Sequence, residues 1–153
     1  MSNKRVCFAA SSGGHFEQLL MLRPLMDKYD CCVVTEKTRY NVDLDKKLYL
    51  LSQVNRHEIS FLPRMLLNAV KSLYIVIKEK PQYIITTGVL AVIPLCLLIK
   101  LFGGKLIYIE SFAKVNTPTI TGKILYNFAD RFYVQWEDMK KLYPKAIYLE
   151  GIY

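Results

Sequence analysis

The sequence predicts an α/β protein in which a parallel sheet carries helices on both faces. Short apolar runs rich in β-branched and aromatic residues alternate with stretches of helical spacing. The runs are almost continuously hydrophobic, as is typical of parallel strands buried on both sides. Small residues and two glycines, ending at Gly14, join the first run to the first helical stretch. With 153 residues, we expect residues 1–153 to form one Rossmann-like domain.

Six strands and four helices follow from this alternation. The predicted strands are residues 5–10, 31–35, 48–51, 83–86, 105–109 and 131–135. The first helix contains Phe16 and Leu19, and Pro24 is expected to kink or end it. The second begins after Ser60 and runs towards Lys80, where Pro81 stops it. The third follows Gly88 and ends at 103–104, and the fourth spans about 121–128.

Composition narrows the class of partner. The chain has 21 basic and 13 acidic residues and a formal net charge of +8, which favours anionic partners. Its basic residues do not cluster with interleaved aromatic residues in a nucleic-acid pattern, so nucleic acid is not expected. The four cysteines lie in apolar runs without metal-type spacing, which predicts reduced core residues and no metal site. The first residues lack a signal-peptide pattern, so we expect a protein on the cytoplasmic side.

The first loop is the strongest candidate for a binding site. It consists of Ser11, Ser12, Gly13, Gly14 and His15. Small side chains let a ligand approach the backbone, and the N–H groups that open a helix favour an anion. Neither a Gly-x-Gly-x-x-Gly pattern nor a Walker loop is present, which argues against a dinucleotide-binding protein and an NTPase.

Polar residues also follow three other predicted strands. They are Thr86, Thr87 and Gly88, then Glu110 and Ser111, then Gln135 and Trp136. Because ligands of open α/β sheets bind beyond the carboxyl ends of the strands, these loops and the first loop should line one crevice. Each loop taken alone is equally well explained as ordinary turn sequence.

Two residues of these loops are candidates for proton transfer. An imidazole at His15 could act as a general base, bind a phosphate oxygen, or simply cap the turn. A carboxylate at Glu110 could accept a proton or bind sugar hydroxyls, or it could be a helix-entry or solvated side chain. The sequence leaves these alternatives open.

The second helix has the pattern of a membrane-surface helix. Arg64, Lys71 and Lys78 recur every seven residues and form one stripe, because seven residues drift only about 20° on a helix. Further residues expected to touch an anionic membrane are Phe61, Leu67 and Tyr74. The alternative is a helix that faces the core and has a solvated basic side. The apolar run 89–99 is too short to span a bilayer, so we expect peripheral attachment.

The ordered set of motifs resembles a known family. Its carriers are residues 11–15, 34–38, 81–88, 108–112 and 128–136. They are similar to those of the acceptor-side half of GT-B glycosyltransferases, and in particular to bacterial capsule and exopolysaccharide proteins of the family that includes asparagine-linked glycosylation protein 14. A related pattern occurs in the fused enzyme that adds N-acetylglucosamine to the undecaprenyl-diphosphate precursor of peptidoglycan.

This resemblance implies a lipid-diphosphate-linked sugar acceptor and a UDP-sugar donor, with no further cofactor. Gly13, Gly14 and Gly88 would line the diphosphate site. The other residues expected to bind the acceptor or its diphosphate are Ser11, Ser12, Thr86, Thr87 and Ser111. His15 would be the base or a phosphate ligand, and Glu110 would hold the acceptor sugar. The chain has Thr86, Thr87 and Gly88 where the fused enzyme has a longer glycine-rich run.

The length leaves room for only one of the two domains of a GT-B enzyme. We therefore expect a separate donor-binding subunit, similar to asparagine-linked glycosylation protein 13, and an active site between the two chains. The residues expected at that interface are Gln135, Trp136, Gly151, Ile152 and Tyr153. The predicted location is the cytoplasmic face of the cell membrane.

Overall fold

A seven-stranded sheet in which all strands are parallel forms the centre of the protein. The computed structural model describes residues 4–38 and 44–150. In chain order the strands are β1 (Arg5–Ala10), β2 (Asp30–Glu36), β3 (Lys47–Leu51), β4 (Tyr83–Gly88), β5 (Lys105–Ile109), β6 (Arg131–Val134) and β7 (Ile147–Tyr148). Their order across the sheet is β3-β2-β1-β4-β5-β6-β7. The predicted Rossmann-like parallel sheet is confirmed.

Five α-helices connect the strands in residues 4–38 and 44–150. They are α1 (Gly14–Leu20), α2 (Arg23–Lys28), α3 (Phe61–Glu79), α4 (Ile93–Leu101) and α5 (Ile120–Leu125). Short 3-10 helices precede α4 and follow β6, at Leu90–Val92 and Glu137–Lys141. Pro24 and Pro94 lie at the first or second position of α2 and α4, where the missing N–H costs nothing. Pro24 therefore marks the start of a new helix, and the helix predicted after Gly88 starts later than expected.

The sheet separates two hydrophobic cores. One core contains Phe8, Phe16, Leu19 and Met26 and lies between the sheet and α1 and α2. The other lies on the opposite side and includes Tyr108, whose ring stacks on Phe132 at 4.7 Å. Three of the four cysteines are buried, Cys31 is half-buried, and all four are free thiols. The strand β7 was missed by the sequence analysis because two residues carry too little pattern to identify a strand.

The helix α3 presents its apolar residues to the outside. Its buried residues are Asn68, Ser72, Ile75 and Val76. The exposed apolar face of α3 consists of Leu62, Leu66, Leu67, Val70, Leu73, Tyr74 and Ile77. This arrangement rejects the core-facing alternative for the main apolar side of the helix. No helix in residues 4–38 and 44–150 is long and apolar enough to cross a membrane.

The three cations of the α3 stripe lie beside β3 and the segment that follows it. Arg64 forms an ion pair with Glu58 at 3.0 Å and donates to the carbonyl oxygen of Gln53 at 3.3 Å. Lys71 donates to the carbonyl oxygen of Leu50 at 3.4 Å. The ammonium of Lys78 lies 5.6 Å from the centre of the Tyr49 ring and 5.3 Å from that of Tyr74. The stripe therefore borders the exposed apolar face of α3.

Asn68 fixes which side of α3 faces the sheet. Its side chain accepts a hydrogen bond from the backbone N–H of Ser52 and donates one to the carbonyl oxygen of Ser52, both at 2.8 Å. Asn68 has no exposed surface. These two bonds satisfy both backbone groups of the residue that follows β3, and they require the polar side of the helix to face inwards.

Replacing Asn68 should therefore destabilise the protein more than the small size of this side chain suggests. We expect Asn68→Leu to lower the free energy of unfolding by about 2 kcal/mol, because the N–H and carbonyl of Ser52 lose their partners in a buried place. Urea unfolding followed by circular dichroism measures this.

The matched control is Ser72→Ala, one helical turn away. The buried hydroxyl of Ser72 has no hydrogen-bond partner among the described residues, so its removal should change the stability by less than about 0.5 kcal/mol. Equal losses in both variants would contradict this role for Asn68.

Candidate functional site

The carboxyl ends of all seven strands lie at the same edge of the sheet. In the sheet, β1 lies between β2 and β4. The chain connections on the two sides of β1 therefore run in opposite directions, which leaves a crevice between β1 and β4. The loops after β1, β4, β5 and β6 are the four that the sequence analysis assigned to one site. The topology therefore places them at one edge of the sheet, as predicted.

The first loop is attached to the end of β4. The backbone N–H of Ser11 donates to the carbonyl oxygen of Gly88 at 3.2 Å, and the hydroxyl of Thr87 donates to the carbonyl oxygen of His15 at 3.0 Å. The hydroxyl of Thr86 accepts from the N–H of Gly88 at 3.0 Å. Thr86 and Thr87 have no exposed surface, and Ser11 is buried as well. The hydroxyl of Thr87 therefore joins the two loops, and the buried side chains of Ser11, Thr86 and Thr87 offer a ligand little surface.

Gly88 is required by its surroundings. Its φ of 96° is unfavourable for other residues, and a Cβ atom there would lie 2.6 Å from the hydroxyl oxygen of Tyr108. Gly13 and Gly14 differ in their surroundings, because added Cβ atoms would meet nothing within 4 Å, although Gly13 also has a positive φ of 78°. Both are exposed. The open part of the candidate site is therefore formed by Gly13 and Gly14, with Ser12 and His15 half-buried beside them.

His15 is suited to proton transfer at neutral pH. Burial lowers the pKa of its imidazole from the usual value, because it disfavours the charged form. The backbone of Thr87 and the charge of Glu110 oppose this shift, and the charge of Lys114 adds to it. The Nδ1 atom has no hydrogen-bond partner among the described residues. A lowered pKa favours the neutral imidazole, which is the form that a general base requires.

Glu110 does not face the crevice, which corrects the expectation that it acts as a base or sugar ligand. It is completely buried, and its carboxylate accepts hydrogen bonds from the hydroxyls of Thr119 and Tyr143 at 2.9 and 3.1 Å. The backbone N–H groups of Ser111 and Thr119 donate to it at 3.0 and 3.2 Å. This carboxylate fixes the loop between β5 and α5, and no oxygen remains for an acceptor sugar.

Glu110 also stabilises the start of the helix α5. Thr119, which donates to Glu110, accepts from the N–H of Gly122 at 2.9 Å and so caps the helix. A Cβ atom at Gly122 would lie 2.4 Å from the carboxylate. Ser111 is buried, and its hydroxyl accepts from the N–H of Ala113 at 3.3 Å. Hydrogen bonds within the loop after β5 thus hold its conformation, and the loop affects the site through its shape.

Glu36 is a residue of this edge that the sequence analysis did not assign to the site. It ends β2, it is 6% exposed, and its carboxylate accepts from the backbone N–H groups of Ser12 and Val54. Burial raises the pKa of Glu36, and those two hydrogen bonds partly offset the rise. Glu36 therefore positions the first loop. The sequence did contain a signal, because Glu36 is an acidic residue that directly follows a predicted strand. It could not show which backbone groups this side chain contacts.

The segment after β6 contributes an aromatic pair. Trp136 donates its indole N–H to the carbonyl oxygen of Phe112 at 2.7 Å, and the two rings lie 5.0 Å apart. Phe112 is half-exposed. Gln135 is only 4% exposed, and neither side-chain polar atom has a partner among the described residues. Its side chain offers a partner chain little surface, so Trp136 and Phe112 are the better interface candidates. Gly151, Ile152 and Tyr153 lie outside the described residues.

The described residues contain no group of three or more His, Cys, Asp or Glu side chains that could hold a metal ion.

Two solved structures share this fold. MurG from Acinetobacter baumannii superposes with a TM-score of 0.73 at 16% sequence identity, over 88% of this chain and 42% of that one. The UDP-GlcNAc 2-epimerase from Methanocaldococcus jannaschii superposes with a TM-score of 0.65 at 11% identity, over 90% of this chain and 41% of that one. The described residues thus share a Rossmann-like α/β fold with less than half of either structure.

Sequence comparison identifies the family. Residues 46–152 match the family model described as oligosaccharide biosynthesis protein Alg14 like. The chain belongs to the Alg14 family, as its motifs predicted. The matched range begins after β2, so the loop from Ser11 to His15 lies before it.

The curated relatives carry a common name. The UDP-N-acetylglucosamine transferase subunit ALG14 of Mus musculus is 37% identical over 84 residues, which are 51% of this chain and 39% of that protein. The protein of the same name from Yarrowia lipolytica is 29% identical and covers 96% of this chain and 80% of its own length. The chain thus spans about two fifths of the mouse relative and most of the yeast one.

The structural role of Glu110 can be separated from a catalytic one. We expect Glu110→Gln to lower the free energy of unfolding by about 2 kcal/mol, because an amide NH₂ would face donors that need an acceptor. Thermal unfolding should show a fall in Tm of roughly 4–8 °C.

The exposed residue Glu137 provides the control, because Glu137→Gln removes the same charge without burying an amide. A Glu110→Gln protein with unchanged Tm and greatly reduced transferase turnover would contradict the structural role and restore Glu110 as a catalytic residue.

Proposed function

We propose that this chain is the acceptor-side subunit of a two-component glycosyltransferase. The observation that carries the proposal is the half-buried His15, whose pKa is lowered by burial, beside the exposed glycines of the first loop at the carboxyl edge of β1 and β4. The relatives named UDP-N-acetylglucosamine transferase subunit favour UDP-N-acetylglucosamine as the donor. The acceptor would be a saccharide linked to a lipid diphosphate, and the pathway that of capsular or exopolysaccharide synthesis.

The proposed reaction is an inverting transfer. The imidazole of His15 takes the proton of an acceptor hydroxyl, the hydroxyl oxygen forms a bond to the anomeric carbon of the donor, and the bond from that carbon to UDP breaks. Gly13 and Gly14 let the acceptor diphosphate approach the backbone. The proton remains on His15 until solvent removes it. No other cofactor enters this scheme.

A separate subunit would bind the UDP-sugar. This chain forms one Rossmann-like domain, and MurG and the epimerase are more than twice as long as the part that it matches. The exposed Phe112 and its neighbour Trp136 lie after β5 and β6, at the same edge of the sheet as His15. A donor-binding subunit docked there would close the crevice, and the residues 151–153 would extend this interface.

A second candidate function is that of a scaffold, in which the partner binds both substrates and this chain only anchors it. The exposed apolar face of α3 favours this candidate, because it supplies a means of anchoring without any role for the crevice. The two candidates differ in whether His15 matters for turnover.

Reconstitution tests the proposal. Transfer from labelled UDP-N-acetylglucosamine to a lipid-diphosphate saccharide should require both this chain and its partner, and UDP-galactose and UDP-glucuronic acid serve as competing donors. We expect His15→Gln in the assembled pair to lower turnover by on the order of 100-fold or more. His57→Gln, at the exposed second histidine, is the control.

The pH dependence follows from the lowered pKa of His15. The base form is present above that pKa, so kcat/KM should rise with pH, and the midpoint of the rise should lie below the ordinary histidine value of about 6.5. Full turnover by His15→Gln, or by the partner alone in detergent, would establish the scaffold instead.

We further propose that the exposed apolar face of α3 attaches the chain to the cytoplasmic face of the cell membrane. The seven large apolar side chains point away from the core, and a groove of about 390 Å³ continues this surface between α3 and α4. Arg64, Lys71 and Lys78 border it, as cations border the apolar side of interfacial helices.

Vesicle flotation tests this attachment. We expect Leu66→Ser combined with Val70→Ser to weaken binding to phosphatidylglycerol-containing vesicles by about tenfold or more, because two inserted apolar side chains are lost. The control combines Met21→Ser with Ile59→Ser, since these exposed apolar residues lie outside α3. Equal weakening by both pairs would exclude the α3 face as the attachment site.

A further inference from the structure

A second concave site lies at the edge of the sheet opposite to the candidate active site. A cavity of about 660 Å³ opens where β1, β4 and β5 begin. We refer to it as the amino-edge cavity. The end of α3, the turn that leads into β4 and the turn after α4 complete its walls. The proposed transferase reaction makes no use of this cavity.

The amino-edge cavity is lined by four cations and by no acidic residue. The cations are Lys4, Arg5, Lys80 and Lys105. None of them forms an ion pair within 4 Å in the part of the chain that the structure describes. The nearby acids Glu79 and Asp130 are paired with Lys47 and Lys100 at 3.1 and 2.7 Å. The lining of the cavity is therefore positively charged, and the nearest acids, which include Asp130 beside Lys105, lie outside it.

Two of these cations are held in place by their neighbours. Arg5 donates its Nε–H to the carbonyl oxygen of Lys80 at 3.0 Å, which fixes the guanidinium at the cavity and leaves its terminal amines for a ligand. The ammonium of Lys4 lies 5.5 Å from the centre of the Tyr83 ring. A guanidinium and ammonium groups together suit a phosphate, which accepts hydrogen bonds on several oxygens.

The rest of the wall is apolar and continues into the proposed membrane surface. Val76, Ile77, Pro81 and Phe102 line the cavity. Ile77 is 58% exposed and belongs to the apolar face of α3, while Phe102 is 62% exposed at the end of α4. A ligand in this cavity would thus place its charge among the cations and its apolar part beside the residues expected to enter the bilayer.

We propose that the amino-edge cavity binds the phosphodiester headgroup of an anionic phospholipid. The cations neutralise the phosphate, and the acyl chains leave along Ile77 and Phe102 towards the bilayer. This role rests on the membrane attachment proposed above and not on the transferase reaction. It sets the orientation of the chain on the membrane, because one end of the apolar face of α3 is fixed by a bound lipid.

Titration with a soluble short-chain lipid tests the site without requiring a membrane. Dihexanoyl phosphatidylglycerol, added below its micelle concentration, should shift the backbone amide signals of Gly103, Gly104 and Lys105 in nuclear magnetic resonance spectra of the full chain. Dihexanoyl phosphatidylcholine should not, because its choline cation opposes the cluster. We expect Lys4→Gln combined with Lys105→Gln to weaken the phosphatidylglycerol affinity by about tenfold or more.

The control is Lys123→Gln combined with Lys140→Gln, which removes two exposed charges outside the cavity and should leave the affinity nearly unchanged. Equal weakening by both pairs would mean that only net charge matters, and absent shifts would mean that no site exists. If glycerol phosphate bound as tightly as the lipid, the proposed lipid ligand would be wrong and the ligand would be a soluble phosphate. If the protein did not float with vesicles, membrane attachment would be refuted, but the shifts of the amide signals would still test lipid binding in the cavity.

Discussion

All seven strands run in the same direction, and this constraint determines where every other feature of the protein lies. It brings the loops that follow β1, β4, β5 and β6 to one edge of the sheet, and it sends the turns that precede the strands to the other. The crevice with His15 and the cavity with its four cations therefore lie at opposite edges. A parallel sheet also needs cover on both faces, which α1 and α2 supply on one side and α3, α4 and α5 on the other.

Buried polar side chains specify how the helices and loops meet this sheet. Asn68 attaches α3 to the residue after β3, Glu110 organises the segment from β5 to α5, and Glu36 holds the first loop. Each accepts backbone N–H groups that would otherwise be unsatisfied. Thr87 completes the set by joining the end of β4 to His15. The positions of the candidate base and of the exposed glycines thus depend on residues that have no direct role in the proposed chemistry.

Prediction from the sequence was correct where a pattern has a single structural solution. A run of β-branched and aromatic residues bounded by turn residues has few alternatives to a strand, and six of the seven strands were predicted with bounds that differ by at most two residues. The glycine turn after β1 was predicted for the same reason. It failed for Glu110, because a carboxylate that follows a strand can face either the crevice or the core. Only the positions of Thr119 and Tyr143, distant in sequence, decide between the two.

The sequence by itself determined the parallel sheet, the loops of its carboxyl edge and the family, since these depend on local periodicity and on short ordered motifs. Only the tertiary structure decided which face of α3 is buried, because the sequence of an amphipathic helix does not show which of its faces packs against other elements. The same holds for the amino-edge cavity. Its cations come from three separate parts of the chain, Lys4 and Arg5, Lys80, and Lys105, and only the pairing of β4 with both β1 and β5 brings them together.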